Sequence, residues 1–360
     1  MHDVAIQNPP PRTAPFGVLW SVTQRCNLHC KYCHASGSST DFFELPYEDL
    51  KKIADILHRV NCRNIVINGG EPLCRDNIFN LIDYVRRDDI RVAINTNGTL
   101  VDEKAAKFFG DREMVVGVSI DGPNEFINSI TRGSGTLKKA VNAVKLLVKH
   151  GAIVNILVDV TRFNFDYILG ICRLADKLGV DIVCLQDFHP IGRGEGRYGD
   201  FTLTPRQEKS ILRTMTQIAK RFPDLKINQE GFAYWATLGH PDDGREKKME
   251  PNKICEGKSC QRGMYIDAHG HMYMCPSLWM IPMGNILEDD IMDAWENSEG
   301  SKIFRDLGEI PVTKIPGCAD CEHNRQCCGG CRGDAFMLYG DWLAAHPRCP
   351  YSPNFPYRKK

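Results

Sequence analysis

Three cysteines, Cys26, Cys30 and Cys33, fall within the eight residues CNLHCKYC. Thiolates gathered this closely are candidate metal ligands. A 4Fe–4S cube normally takes four of them, so a group of three leaves one iron without a protein ligand, and an open metal position is a reactive one. Spacing alone leaves two alternatives open: His34 or Cys74 completes a structural zinc site, or the thiols are buried as small hydrophobes. A second group lies at the other end of the chain, where nine of the sixteen cysteines fall between Cys255 and Cys349. Within it, Cys318/Cys321 and Cys328/Cys331 read as a zinc ribbon, a reading that leaves Cys255, Cys260, Cys275, Cys327 and Cys349 without a role. Cys62, beside a helical segment, Cys172, within one, and Cys184, in a strand segment, read as core thiols.

The elements that must position these groups follow from hydrophobic patterning. Apolar, β-rich runs at 17–22, 64–67, 91–96, 114–120, 153–160 and 181–186 alternate with segments of helical period, the pattern of a parallel sheet with helices outside it. Leu50, Ile53, Ala54, Leu57 and Val60 form one apolar helix face, and Leu137, Ala140, Val141, Val144 and Leu147 another. Six such βα units are too few for a closed eight-stranded barrel, yet the continuity of the apolar runs suggests strands covered on both faces. The expected class is α/β, a partial (β/α)6 TIM-like barrel or a doubly wound sheet. A further helix should start at Thr204, with Pro205 in its first position, and run to about Phe222. Beyond the charged stretch 240–253 the chain turns Gly-, Pro- and Cys-rich with little periodicity, as where metal ligands replace an apolar core.

Charge narrows the partners. Lys+Arg and Asp+Glu both total 45 in the 360 residues, so the basic excess of a nucleic-acid or anionic-membrane binder is lacking. No apolar stretch approaches the roughly 18 residues of a membrane-spanning helix, and MHDVAIQNPPPRTAPF lacks the features of a signal peptide. The chain reads as cytoplasmic, a compartment where thiols serve metal or redox chemistry more than disulfides.

CNLHCKYC resembles the CxxxCxxC motif of the radical S-adenosylmethionine enzymes, including an aromatic residue, Tyr32, before the last cysteine. The resemblance implies that Cys26, Cys30 and Cys33 hold a 4Fe–4S cluster. Its fourth iron would chelate the amino and carboxylate groups of S-adenosylmethionine, and reductive cleavage would yield a 5′-deoxyadenosyl radical. NGGEP, with Gly69, Gly70 and Glu71, resembles the family's GGE segment, which meets the cofactor's ammonium. NTNG, with Asn97, and SIDG, with Ser119 and Asp121, end the next two strands, where the family contacts ribose or carboxylate, and Arg132 is a carboxylate partner or a plain surface ion pair. From Cys260 the pattern Cx9Gx4C, through Gly270, then Cx2Cx5Cx3C and a last cysteine resembles the SPASM module. That resemblance assigns Cys255, Cys260, Cys275 and Cys331 to one auxiliary cluster and Cys318, Cys321, Cys327 and Cys349 to a second, leaving Cys328 spare. The implied organisation is an extension (1–16), the radical core (17–230), a linker (231–254) and a SPASM domain (255–360), with three 4Fe–4S clusters in all and a small electron donor such as flavodoxin or ferredoxin.

The expected reaction is hydrogen abstraction from a peptide or protein undergoing maturation, with tetrapyrrole side-chain modification as the alternative and a non-catalytic zinc or iron–sulfur scaffold as a third reading. Only 25 residues precede Cys26, too few for a leader-binding domain, so a peptide would come on a separate carrier or none. Pro276 stands where sulfatase-maturating enzymes carry an aspartate. GGCRGDAFMLYGDWLAAHPRCP and the loop 192–194 resemble the tetrapyrrole-modifying group. His189, Arg193, Tyr198, Trp235 and Trp279 are candidates to line a substrate cavity, and Tyr273 and Met274 to pack around a cluster.

Overall fold

The computed structural model describes residues 15, 17–87, 90–230, 263–321 and 324–349. Trp235, Cys255, Cys260 and the expected linker lie outside them. Six parallel strands occur where the sequence indicates: β1 (Gly17–Ser21), β2 (Asn64–Asn68), β3 (Arg91–Thr96), β4 (Val115–Ser119), β5 (Ile153–Val160) and β6 (Ile182–Asp187). They hydrogen-bond in chain order, each with its predecessor. The helices between them include Tyr47–Arg59 and Thr136–Lys149, whose buried residues Leu50, Ile53, Ala54 and Leu57, and Leu137, Ala140, Val144 and Leu147, are those of the expected faces.

Four strands extend the sheet beyond the expected six. β7 (Lys226–Glu230) pairs in parallel with β6, and β8 (Gly263–Ile266) pairs in parallel with β1. Antiparallel β9 (His271–Tyr273) and β10 (Gly284–Asn285) follow outward from β8. The sheet is therefore an open, TIM-like barrel wall with the C-terminal region built onto its first strand. β7, KINQE, is polar and short, so it lacks the apolar run by which buried strands are recognised.

The strands are covered less evenly than their apolar runs suggest. In β1 and β2 burial alternates: Val18, Trp20, Ile65 and Ile67 are sealed against the helices, while Asn64, Val66 and Asn68 are half-buried. Alternate residues point to opposite faces, so the second face lines the hollow of the barrel. The expectation that metal ligands replace a core in the C-terminal region needs correction too. Met264, Ile266, Met272, Leu278, Ile286, Trp295 and Phe304 join the barrel's own apolar core. Among the described residues, Val312, Ile315 and Ala345 form a separate small one. The helix Pro205–Arg221 starts as expected, closed by a reciprocal capping box between Thr204 and Gln207.

Candidate metal and cofactor site at the mouth of the barrel

The cysteine loop leaves the C-terminal end of β1 and is held by backbone. Gly70 N–H donates to Thr23 O at 2.8 Å, Glu71 N–H to Arg25 O at 2.8 Å, and Cys26 N–H to Ser38 O at 2.8 Å. The glycines of NGGEP make this approach possible: a Cβ on Gly69 would lie 2.4 Å from Thr23 O, and one on Gly70 2.4 Å from Arg25 O. Glu71 is fully buried. Its Oε1 accepts from Thr96 Oγ1 at 2.7 Å and Leu73 N at 3.1 Å, and its Oε2 from Asn97 N at 2.6 Å. Burial raises its pKa above the ordinary value against the pull of these bonds. The segment thus staples the ends of β2 and β3 and seats the loop that carries Cys26. Asn97 turns its side chain onto the same loop, donating to Asn27 Oδ1 at 2.9 Å.

A second network fixes the middle of the motif. Tyr32 donates its hydroxyl to Asp121 Oδ2 at 2.5 Å, and Thr131 donates to the same oxygen at 2.9 Å. Arg132 Nε lies 2.9 Å from that oxygen, and Arg132 Nη2 lies 3.4 Å from Asp159 Oδ2. Asp159 N–H donates to the other oxygen, Asp121 Oδ1, at 3.2 Å. Asp121 is fully buried, so its carboxylate is engaged within the chain; Asn97, Ser119 and Asp159 are half-buried. Burial first, and the neighbouring Asp121 charge second, push the Asp159 carboxyl up to about 6.

The donor set fits a metal cluster. Cys26 is pushed up to about 12 and Cys30 to about 11, mainly by burial, with further upward pushes on Cys26 from Glu71, Cys33 and Cys30 and on Cys30 from Cys33. Such thiols release their protons only to a compensating cation, which a cluster's iron supplies. Arg132 and Arg193 lower the Cys30 value, so the site already carries cationic charge facing that thiolate.

The described C-terminal cysteines are partly or fully buried. Cys349 and Cys321 raise Cys318, which reaches about 11, and Cys349 and Cys318 raise Cys327, which reaches about 12, in each case after burial. Cys328, the next residue, raises Cys327 as well. Cys331 lies directly before the helix Arg332–Tyr339, which packs on the turn Pro276–Leu278 that follows Cys275. The contact is close: a Cβ on Gly333 would meet Ser277 Cβ at 2.7 Å. Cys331 also gathers with His189 and Asp334, their potential ligand atoms all within 4.8 Å of one another. His189 Nδ1 is 2.9 Å from Asp334 Oδ1. Burial alone would lower the His189 pKa, but the Asp334 carboxylate raises it above its ordinary value. Cys328 is buried beside Cys327, and Cys62, Cys172 and Cys184 are buried too.

Of the cavity candidates, His189 is 27% exposed at its side chain, and Trp279 is exposed. Tyr198 is buried in a cluster with Tyr32, Phe188 and Phe201. Arg193 turns to the cysteine loop, donating to Cys30 O at 2.9 Å and Gly37 O at 2.8 Å. Sequence reasoning missed Asp159, Thr131, Asp334, Asp187 and Arg348. Asp159 carried a signal, a charge inside the apolar run IVNILVDV; the others have meaning only through partners on other elements.

Residues 20–175 match the family model described as the radical SAM superfamily, and residues 255–322 match SPASM, an iron–sulfur cluster-binding domain. The chain is 31% identical over 344 residues to the mycofactocin maturase MftC of Mycolicibacterium smegmatis, covering 93% of this chain and 83% of that protein. It is 28% identical over 355 residues to the AdoMet-dependent heme synthase of Methanosarcina barkeri, covering 95% and 98%. Among solved structures, native anSMEcpe with bound AdoMet superposes with a TM-score of 0.74 at 23% identity over 92% of this chain and 93% of that one.

Proposed function

The chain belongs to the radical S-adenosylmethionine superfamily and carries a SPASM iron–sulfur module, and on that premise we propose that it is a maturase acting on a peptide or protein. It is an enzyme that uses S-adenosylmethionine and iron–sulfur chemistry. The observation that carries the substrate reading is the 31% identity, over 93% of the chain, to a mycofactocin maturase.

Cys26, Cys30 and Cys33 would hold the radical cluster, which when bound supplies the electron that cleaves S-adenosylmethionine to a 5′-deoxyadenosyl radical. The remaining cysteines would hold two auxiliary clusters, one on Cys255, Cys260, Cys275 and Cys331 and one on Cys318, Cys321, Cys327 and Cys349. The protein's own part is positional. The NGGEP backbone seats the cysteine loop, Asp121 pins Tyr32 and Arg132 beside it, and Asn97 and Ser119 stand at the rim where a cofactor's polar groups would lie. His189, its Nδ1 held by Asp334, leaves Nε2 as the ring nitrogen that can exchange a proton with a substrate. Pro276 opens the turn after Cys275, so no carboxylate takes that role there. Electrons would come from a flavodoxin or ferredoxin.

A specific observation favours a second reading, tetrapyrrole side-chain modification: the match to the heme synthase spans 98% of that protein. The test is to offer the anaerobically reconstituted protein, with S-adenosylmethionine and a reductant, a small precursor peptide encoded beside its gene and, separately, a porphyrin. A mass change in the peptide supports the maturase. A change in the porphyrin alone replaces it with the second reading.

A further inference from the structure

One short stretch that begins at the last residue of β6, DFHPIGR (187–193), touches both the cysteine loop and the C-terminal region. At its start, Asp187 pairs with Arg348, the neighbour of Cys349, and Arg348 Nε donates to Glu208 Oε1 at 2.9 Å. The side chains of Arg348, Asp187 and Glu208 are 7%, 5% and 1% exposed, so this is a buried ion triad between the C-terminal segment and the barrel. Two residues on, His189 reaches Asp334, whose Oδ2 lies 3.7 Å from His346 Nε2. At its end, Arg193 N–H donates to Cys33 O at 2.9 Å and its guanidinium to Cys30 O and Gly37 O. Gly192, at φ +57°, lies so close beneath the loop that a Cβ there would sit 2.2 Å from His34 O. Phe188 ties the stretch to Tyr32 through the ring cluster with Tyr198 and Phe201.

We propose that residues 187–193 act as one brace that sets the spacing between the cysteine loop 26–33 and the C-terminal cysteine array, with Arg348 as the latch that seats it. The physical ground is the cost of disturbing either end. Removing one member of a buried ion group strands the others in low dielectric, and the brace is too short to absorb movement at one end without passing it to the other. Arg348 is a positioning residue on this account. The mechanical coupling stands on these contacts alone; its consequence for radical chemistry rests on the function proposed above.

Hydrogen exchange of the full, anaerobically reconstituted chain tests it. In Arg348→Met, amides of 26–38 and 187–197 should exchange faster by roughly tenfold or more, while the helix Thr136–Lys149 keeps parental rates. Arg348→Lys, which retains a cation, should recover part of the protection. If Arg348→Met does not fold, the neutral combination Asp187→Asn, Glu208→Gln and Arg348→Met leaves no stranded charge and is read in the same way. Faster exchange confined to 340–349, with 26–38 at parental rates, overturns the brace. A parent protein that fails to cleave S-adenosylmethionine defeats the proposed function and leaves the exchange result standing.

Discussion

The Tyr32 hydroxyl donates to Asp121 Oδ2 at 2.5 Å, joining the cysteine motif to the end of β4. The same oxygen takes the Arg132 guanidinium and the Thr131 hydroxyl, so one buried carboxylate fixes the ring beside Cys33, the helix Glu125–Arg132 and, through Asp121 Oδ1, the end of β5. Asp121→Ala leaves Arg132 with Asp159 at 3.4 Å as its remaining acid. It should destabilise the fold by about 3–5 kcal/mol. Tyr32→Phe deletes one neutral donor to the carboxylate and should cost about 1–2 kcal/mol. Urea unfolding of both variants measures the difference, and equal losses would mean that Asp121 does not centre the network.

Gly70→Ala should damage the metal site more than the fold. Its methyl group would lie 2.4 Å from Arg25 O, one residue before Cys26, and only displacement of that backbone relieves the overlap. The expected outcome is loss of about four irons per chain with circular dichroism close to that of the parent. Parental iron content in the variant would show that the loop tolerates the shift.

Asp159 gives stability a pH dependence of known sign. Its carboxyl, pushed up to about 6 mainly by burial, holds a proton more tightly folded than unfolded, where its pKa is about 3.9. Its contribution is therefore fully present below about pH 4 and is lost as pH rises through about 6. Asp159→Asn stays neutral throughout, so its stability relative to the parent should rise between pH 4 and 7 and level off above. Denaturant unfolding at pH 4, 5.5 and 7.5 checks this; a difference constant with pH contradicts it.

The six central strands were legible because buried parallel strands carry apolar runs such as RVAINT and IVNILVDV, and both of these start and end as expected. β7 and β8 were not: KINQE is polar, and GMYI owes its place to pairing with β1, a contact no local pattern encodes. At the site, the ligand types were legible because thiols are rare and their spacing is specific. The division of labour was not. Glu71 and Asp121 stand in motifs that sequence ties to cofactor contact, yet each carboxylate is engaged by several donors within the chain. Arg193, a cavity candidate by sequence, instead donates to the carbonyls of Cys30 and Gly37. Such roles depend on partners from other elements, for Arg193 more than a hundred residues away.

The two groups of thiols should fail differently. Cys321→Ala removes a thiol from the set proposed with Cys318, Cys327 and Cys349, far in sequence from the cysteine loop, and should lose about four irons while still binding S-adenosylmethionine. Cys30→Ala should abolish cleavage of S-adenosylmethionine. Iron analysis and equilibrium dialysis with S-adenosylmethionine separate the two cases, and a Cys321→Ala protein unable to bind S-adenosylmethionine would show that the sets are not independent.

The most direct test is to reconstitute the full chain anaerobically, count iron, and assay 5′-deoxyadenosine after adding S-adenosylmethionine and a strong reductant. Three four-iron clusters predict about twelve irons per chain together with 5′-deoxyadenosine formation that Cys30→Ala eliminates. About four irons with no 5′-deoxyadenosine, or full cleavage by Cys30→Ala, would contradict it.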